Sequence, residues 1–323
     1  MKKITISAPG KLILLGEHAV IYNRPCIVTS VGQRIFVTLE SIPDSIFELE
    51  APDVEVRGYK KPFLRLGEGA IPKGAAFVEK AVKNFTDKYP MQGGLRISTK
   101  SEFSSFFGFG SSSASTVCVI RGLAEITNLQ LRNKEIFDLA YKTVLDIQGK
   151  GSGVDVAASL YGGTLYFVTG GRVVEPIALD ELPLVVGYTG VKADTVTIIN
   201  AVAERVSRHS ERIDTMYTQI GQMVDAAHVA LKAKEWPLVG ELMNFDQGIL
   251  EALGVSSPKL AAMIRAARDA GAWGAKLSGA GVGDCMIALT SHDKRRAISE
   301  AITKVGGKVI DVVTNVEGVK VEI

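Results

Sequence analysis

Three short segments carry residue types whose spacing could do chemistry. The first runs Ser7-Ala8-Pro9-Gly10-Lys11-Leu12-Ile13-Leu14-Leu15-Gly16-Glu17-His18-Ala19-Val20. Lysine is rarely buried without a partner. Lys11 in so apolar a run is therefore either a surface turn residue or a cation kept for a negative group. Glu17-His18 carries the same choice between a satisfied core histidine and a site. The second segment is Gly108-Phe109-Gly110-Ser111-Ser112-Ser113-Ala114-Ser115. Glycines let backbone N–H groups converge on an anion, and a helix starting there would add its positive end. Serine hydroxyls could then bond phosphate oxygens or ligate magnesium, or simply cap the helix. The third is Lys276-Leu277-Ser278-Gly279-Ala280-Gly281-Val282-Gly283-Asp284-Cys285. Its third glycine is misplaced for a dinucleotide fingerprint, and a strand-like run follows where a helix is required. A tight turn between strands is the plain alternative. No Gly-Lys-Ser or Gly-Lys-Thr, His-Arg-Asp or Asp-Phe-Gly occurs in the chain, which removes the Walker A and protein-kinase signatures.

The elements that must position these segments follow from periodicity. Strands are expected at 3–7 and 33–40, with Pro9-Gly10 breaking the first. An amphipathic helix is expected over 72–88, where Ala75, Val78, Val82 and Phe85 recur at spacings of three and four. A strand (95–99) and the phenylalanine-rich loop lead into a helix over 111–127. Further helices are expected at 133–147 and after the Gly149-to-Gly153 loop, and a strand at 164–169. The stretch from Gly170 to Pro183 lacks a period and is the expected junction between domains 1–178 and 179–323. Beyond it come a strand (184–188), a long helical region (195–253), then helix, strand, strand, helix, strand, strand. Strands and helices mix without regular alternation, so the fold class is α+β.

Composition sets the frame. The 323 residues are 46% hydrophobic and 22% charged, with a formal net charge of +2, too small to suggest a nucleic-acid or membrane-surface partner. Lys294-Arg295-Arg296 reads as a solvated helix start. Cys26, Cys118 and Cys285 lie far apart in apolar runs and read as buried thiols in a reducing compartment. With neither a signal peptide nor a membrane span at the N-terminus, a cytoplasmic protein is expected.

Taken together and in this order, the three segments resemble the motifs of the GHMP kinases, small-molecule kinases that move the γ-phosphate of ATP to an alcohol. The resemblance extends over nearly the whole chain. It implies a ribosomal-protein-S5-like N-terminal domain, a ferredoxin-like C-terminal domain and an active site in the cleft between them. Within the family, Ala8-Pro9-Gly10-Lys11, Gly16-Glu17-His18-Ala19-Val20 and Leu242-Met243-Asn244-Phe245-Asp246-Gln247-Gly248 are similar to the mevalonate kinases. Gln148-Gly149-Lys150-Gly151-Ser152-Gly153-Val154-Asp155, Gly187-Tyr188-Thr189-Gly190 and Gly283-Asp284-Cys285 are more similar to the phosphomevalonate kinases. The first set weighs more because the His18 region normally lines the acceptor site, so ATP and mevalonate are the expected substrates. A homodimer is left open.

The resemblance also implies roles. Gly108, Gly110, Ser111, Ser112 and Ser113 are expected around the ATP phosphates, with Ser112 a ligand of Mg²⁺. Asp155 is expected to accept the proton of the attacking hydroxyl, and Lys11 to steady charge beside it. Glu17, His18, Thr195, Ser278, Gly279 and Gly281 are expected at the acceptor. Three departures stand out. Ser104-Ser105-Phe106 replaces a Pro-x-Gly, and Phe109 a leucine. Tyr188 stands where shorter mevalonate kinases have aspartate. Val144 occupies the position of a metal-binding glutamate, and Asp146, about 200° further around a helix, is not placed to substitute. A non-catalytic ligand sensor of the same family is the rival reading, and the joint presence of Lys11 and Asp155 argues against it.

Overall fold

A computed structural model describes residues 2–104 and 106–322. In chain order the elements are β1 (Lys3–Leu15), β2 (Pro25–Ile42), β3 (Ile46–Ala51), β4 (Val56–Pro62), α1 (Ala76–Lys88), β5 (Gly94–Ser101), α2 (Ser111–Ile126), α3 (Asn133–Gln148), α4 (Val154–Tyr161), β6 (Thr164–Val168), β7 (Val173–Ile177), β8 (Leu184–Tyr188), α5 (Thr195–Arg208), α6 (Ser210–Lys232), α7 (Trp236–Ala252), α8 (Pro258–Asp269), β9 (Gly274–Ser278), β10 (Cys285–Leu289), α9 (Arg295–Lys304), β11 (Lys308–Ile310) and β12 (Lys320–Glu322). The α+β expectation holds.

The first sheet runs β12-β1-β2-β5-β3-β4, with β6 paired to the N-terminal part of β2 and β7 paired to β6. All its pairs are antiparallel except β3 with β5. Helices α1 to α4 pack together, and α2 and α4 lie on β1 and β2. The second sheet is antiparallel with order β11-β8-β10-β9. Helices α8 and α9 pack on each other and on its strands. Numbered within this sheet, the order is 4-1-3-2, the ferredoxin-like arrangement. The final strand, β12, returns to the first sheet and pairs with β1 through Ile6 and Val321.

Pro9-Gly10 does not break the first strand as expected. Pro9 pairs with Arg34 and Gly10 with Val31, so β2 carries the surplus residues Gly32 and Gln33 and β1 continues through a bulge to Leu15. A bulge re-aims side chains while keeping the ladder, and here the re-aimed residue is Lys11. Gly10 is needed at this point: a Cβ there would sit 3.0 Å from Phe109 Cβ and 3.2 Å from the Phe109 carbonyl oxygen. The expected helix over 72–88 begins only at Ala76, and the long helical region is three helices broken near His209 and Ala233.

Candidate active site: a lysine, an aspartate and a glycine loop in one cleft

Between the two sheets lies a cleft of about 1150 Å³, counting its open mouth. Lys11 enters its floor from β1. Its N–H donates to the Phe109 carbonyl at 3.0 Å, which ties the strand to the glycine loop. Its Nζ lies 3.2 Å from Asp155 Oδ1. Asp155 stands in the first turn of α4, after Gly153 has turned the chain at φ 87°. Ser159 on the same helix donates to the Pro9 carbonyl at 3.2 Å, fixing α4 against the bulge. The lysine is therefore buried with a partner, and the partner is a carboxylate that remains partly open to the cleft.

Gly110 precedes α2 at φ 76°, and among the described residues no side chain caps that helix. Its first N–H groups are therefore open to an anion, reinforced by the helix dipole. Gly110 also lets the loop pass Lys11, since a Cβ would stand 3.3 Å from Lys11 Cε. Gly108 lies over Asp284, where a Cβ would come within 2.5 Å of Oδ2. Gly108, Gly110 and Ser111 to Ser113 all line the cleft.

Two of the departures explain each other. Phe109 is buried and packs with Phe103 and Phe107, and Phe107 meets the Tyr188 ring edge-on at 5.1 Å. An aromatic in the loop and an aromatic at the end of β8 form one joint between the two sheets. Cys285 adds a weak Sγ–H bond to the Phe107 carbonyl at 3.2 Å.

On the other wall stand Glu17 and His18, in the turn after β1. His18 is held at φ 59° and ψ −49°, an uncommon region for a side chain of its size. Its Nε2 lies 2.9 Å from the Ala280 carbonyl oxygen. A carbonyl only accepts, so Nε2 carries the proton and Nδ1 is left as an acceptor. Burial holds the imidazole below its ordinary pKa, with the nearby Lys276 acting in the same direction. Thr195, at the start of α5, and Gly279 also line the cleft.

Ser278 and Gly281 are not among the residues that line the cleft. The Ser278 hydroxyl accepts from the Ile13 N–H at 2.9 Å and donates to the Ile13 carbonyl at 3.0 Å, so it is spent on clamping β9 to β1. Gly281 is pressed against Val255, where a Cβ would lie 2.2 Å from the carbonyl oxygen.

Sequence reasoning missed Asp284 and the partners of Glu17. Asp284 Oδ1 accepts from the Ala193 N–H at 2.9 Å, and its backbone bonds Val191 and Thr189. It thus fastens the β8–α5 loop, which carries Lys192 and leads into Thr195, to the third segment. Burial raises its pKa, against the Ala193 N–H, Lys11 and Lys192. Glu17 pairs with Lys276 of β9, which also reaches Asp246 of α7. The available signal was a lysine inside the apolar strand Gly274–Ser278.

The sequence relationships agree with this geometry. Residues 76–163 match the model of the GHMP kinases N-terminal domain, and 227–308 that of the GHMP kinases C-terminal domain. The chain is 34% identical to the mevalonate kinase of Pyrococcus abyssi, over 99% of this chain and 98% of that protein. The chain belongs to the GHMP kinase family. Its fold matches that of the Methanococcus jannaschii mevalonate kinase with a TM-score of 0.81 at 25% identity, covering 97% of this chain and 98% of that one. It matches the L. major mevalonate kinase in complex with R-mevalonate with a TM-score of 0.77 at 26% identity, covering 98% and 96%.

Proposed function

We propose that this GHMP kinase transfers the γ-phosphate of ATP to the 5-hydroxyl of mevalonate, with Asp155 as the base and Lys11 as the charge-stabilising cation. The observation that carries the reading is the 3.2 Å Lys11–Asp155 pair at the foot of an uncapped helix N-terminus. Full-length relatives named mevalonate kinase support the choice of acceptor. Phosphoryl transfer asks the protein for positioning and charge stabilisation more than for covalent chemistry. The α2 N-terminus with Gly108, Gly110 and Ser111 to Ser113 would hold the phosphates. Asp155 would take the proton from the attacking hydroxyl, which needs a carboxylate within hydrogen-bond reach. Lys11, fixed from two sides, would offset the negative charge that builds between nucleophile and phosphoryl group. Glu17, His18, Thr195 and Gly279 would bound the acceptor.

Mg²⁺ fits the donor set in part. The cleft offers the Ser112 hydroxyl and the carboxylates of Asp155 and Asp284, all hard oxygens. Among the described residues no group of three or more His, Cys, Asp or Glu could hold a metal by itself. Val144 lines the cleft and supplies no donor. Asp146 is turned away, accepting from Lys142 at 2.6 Å and Asn84 at 3.0 Å. Ser112, with Asp155 close by, would hold the ion together with ATP oxygens and water, and the bound ion would neutralise phosphate charge.

We further propose the division at 178/179, between β7 and β8, with β12 returned to the first unit. A cytoplasmic setting is proposed from the three buried, unpaired cysteines; among the described residues no helix is long and apolar enough to cross a membrane. The test is a coupled assay of ATP turnover with magnesium and either mevalonate or phosphomevalonate. Mevalonate-dependent turnover with the higher kcat/KM is expected. A preference for phosphomevalonate, or no turnover with mevalonate, overturns the reading.

A further inference from the structure

Glu17, on the cleft wall, forms a cluster with Asp246 and Lys276, two residues that the reaction as outlined does not use. All three are sealed from water, at 0–1% exposure. Lys276 Nζ is in short contact with Glu17 Oε1, donates to the Leu277 carbonyl at 2.7 Å and stands 3.5 Å from Asp246 Oδ2. Each residue comes from a different element: the turn after β1, helix α7 and strand β9. Helix α7 holds β9 by two further side chains. Asn244 accepts from the Ala275 N–H at 3.1 Å, and Gln247 from the Leu277 N–H at 2.9 Å. The polar face of α7 is thus a rack that sets β9, and β9 carries the cation that meets Glu17. The residue after Glu17 is His18, whose backbone is held in an uncommon conformation and whose ring is bonded to Ala280, just beyond β9.

We infer that Asp246 and Lys276 are positioning residues for the acceptor, holding the Glu17-His18 corner against the cleft across the seam between the two sheets. The inference rests on the acceptor wall assigned to His18 above. A sealed ammonium facing two carboxylates leaves one negative charge too many, and low dielectric makes that costly. The cluster meets this by keeping a proton on the carboxylate pair. Burial pushes Glu17 up to about 7, with Asp246 acting in the same direction and Lys276 against it, and burial also raises Asp246, against Lys276. Around Glu17 the other titratable groups are His18, held neutral by burial, and the Cys26 thiol of β2, pushed up by burial and by the Glu17 charge. Glu17 Oε2 and both Asp246 oxygens have no hydrogen-bond partner among the described residues. A carboxylic proton shared between Glu17 and Asp246 supplies a hydrogen bond for two of these three oxygens, and the pair titrates as a unit. Above neutral pH the proton leaves, the sealed charge is uncompensated and the corner loosens.

The test compares the full-length parent with Asp246→Ala, Lys276→Met and Asp246→Asn, varying acceptor and ATP separately. The first two variants are expected to raise the acceptor KM about tenfold or more with ATP KM within about twofold, since small misplacements of a binding wall are costly. Asp246→Asn keeps the shape and should stay near the parent at pH 6. The parent's acceptor KM should rise through about pH 7, and Asp246→Asn should remove that rise. Acceptor and ATP KM rising together, unchanged acceptor KM, or an inflection retained in Asp246→Asn would overturn the inference. Should Ala and Met fail to fold, the Asn variant decides alone. If the parent does not turn over mevalonate, the proposed function fails but this inference is still judged. Protection factors, with the intrinsic base-catalysed rate divided out, should then fall above pH 7 at residues 16–21 in the parent, not at residues 110–114, and Asp246→Asn should abolish the change. Equal exchange in both proteins would sink it.

Discussion

Lys11 meets one carboxylate whose side chain is 37% exposed; Lys276 meets two that are 1% and 0% exposed. Both lysines lie in strands, both are buried, and both bridge distant parts of the chain. The difference is access. Asp155 can reach a proton on a bound hydroxyl because part of its carboxylate faces the cleft. Glu17 and Asp246 lie in a buried seam against Lys276, where they can shape a wall. The same residue types thus give a reactive pair or a structural one according to which helix end is nearby. Lys11 and Asp155 sit beside the open N-termini of α2 and α4, whereas Lys276 is enclosed between β9 and α7.

The sharpest way to break this comparison is to disarm the open pair. Asp155→Asn should lower kcat by at least about a hundredfold with ATP binding within a few fold, because general-base contributions run to about 10² to 10⁴. Single-turnover kinetics with a nucleotide-binding measurement would check it, and near-normal turnover would remove Asp155 as the base. Lys11→Met should also reduce kcat sharply. If the two groups act as one unit, the double variant will lose far less than the product of the single losses. Fully multiplicative losses would mean that the 3.2 Å contact has no functional meaning.

A smaller effect is expected at Val144, whose apolar side chain lines the cleft while Asp146 is engaged by Lys142 and Asn84. Retention of magnesium then leans on Ser112, nucleotide oxygens and water, so the parent should need magnesium in some excess over ATP. Val144→Glu should lower the magnesium concentration giving half-maximal rate, and Ser112→Ala should raise it, both at constant free ATP. An unchanged magnesium dependence in Ser112→Ala would count against the assignment. So would a magnesium complex with Asp146 on the ion.

Much of the open pair was legible in the sequence, and little of the sealed one. Lys11 and Asp155 lie in segments whose glycines announce special backbone, and a helix start after each glycine loop follows from local rules. The helices over 111–126 and 133–148 were visible from their periodicity, as was the strand 184–188. The bulge at Gly10 was not, because it exists only through the pairing of β1 with β2, and Pro9-Gly10 in isolation looks like a stop. Lys276 and Glu17 are 259 residues apart, so only the oddity of a lysine in an apolar strand pointed to a partner. Ser278 was expected at the acceptor from the family resemblance; its two bonds to Ile13 come from the meeting of the two sheets and could not be read from the segment itself.

The last prediction uses pH to sharpen the contrast. Glu17, raised from 4.5 to about 7, binds a proton in the folded state that the unfolded chain has already released at pH 6. The folded state thus binds more protons across this window, and stability from the Glu17–Asp246 pair falls as pH rises from about 4.5 to 7, then levels off. His18 has the opposite sign. Its buried imidazole is held below 6.5, so its contribution grows as pH rises toward that value. Asp284 shares the sign of Glu17 but lies across the cleft from the seam. Carboxylates held low by surface partners, such as Glu48 and Asp146, act only below their ordinary values and leave the window clear. The informative quantity is therefore the difference between parent and Asp246→Asn, in which His18 and Asp284 cancel. Asp246→Asn leaves one carboxylate for one ammonium, so the shared proton is no longer needed. Its Tm should gain on the parent's as pH rises from about 5 to 7 and hold that gain from 7 to 8. Parallel Tm curves would show that the sealed carboxylates share no proton, and the contrast with Lys11 and Asp155 would then rest on exposure alone.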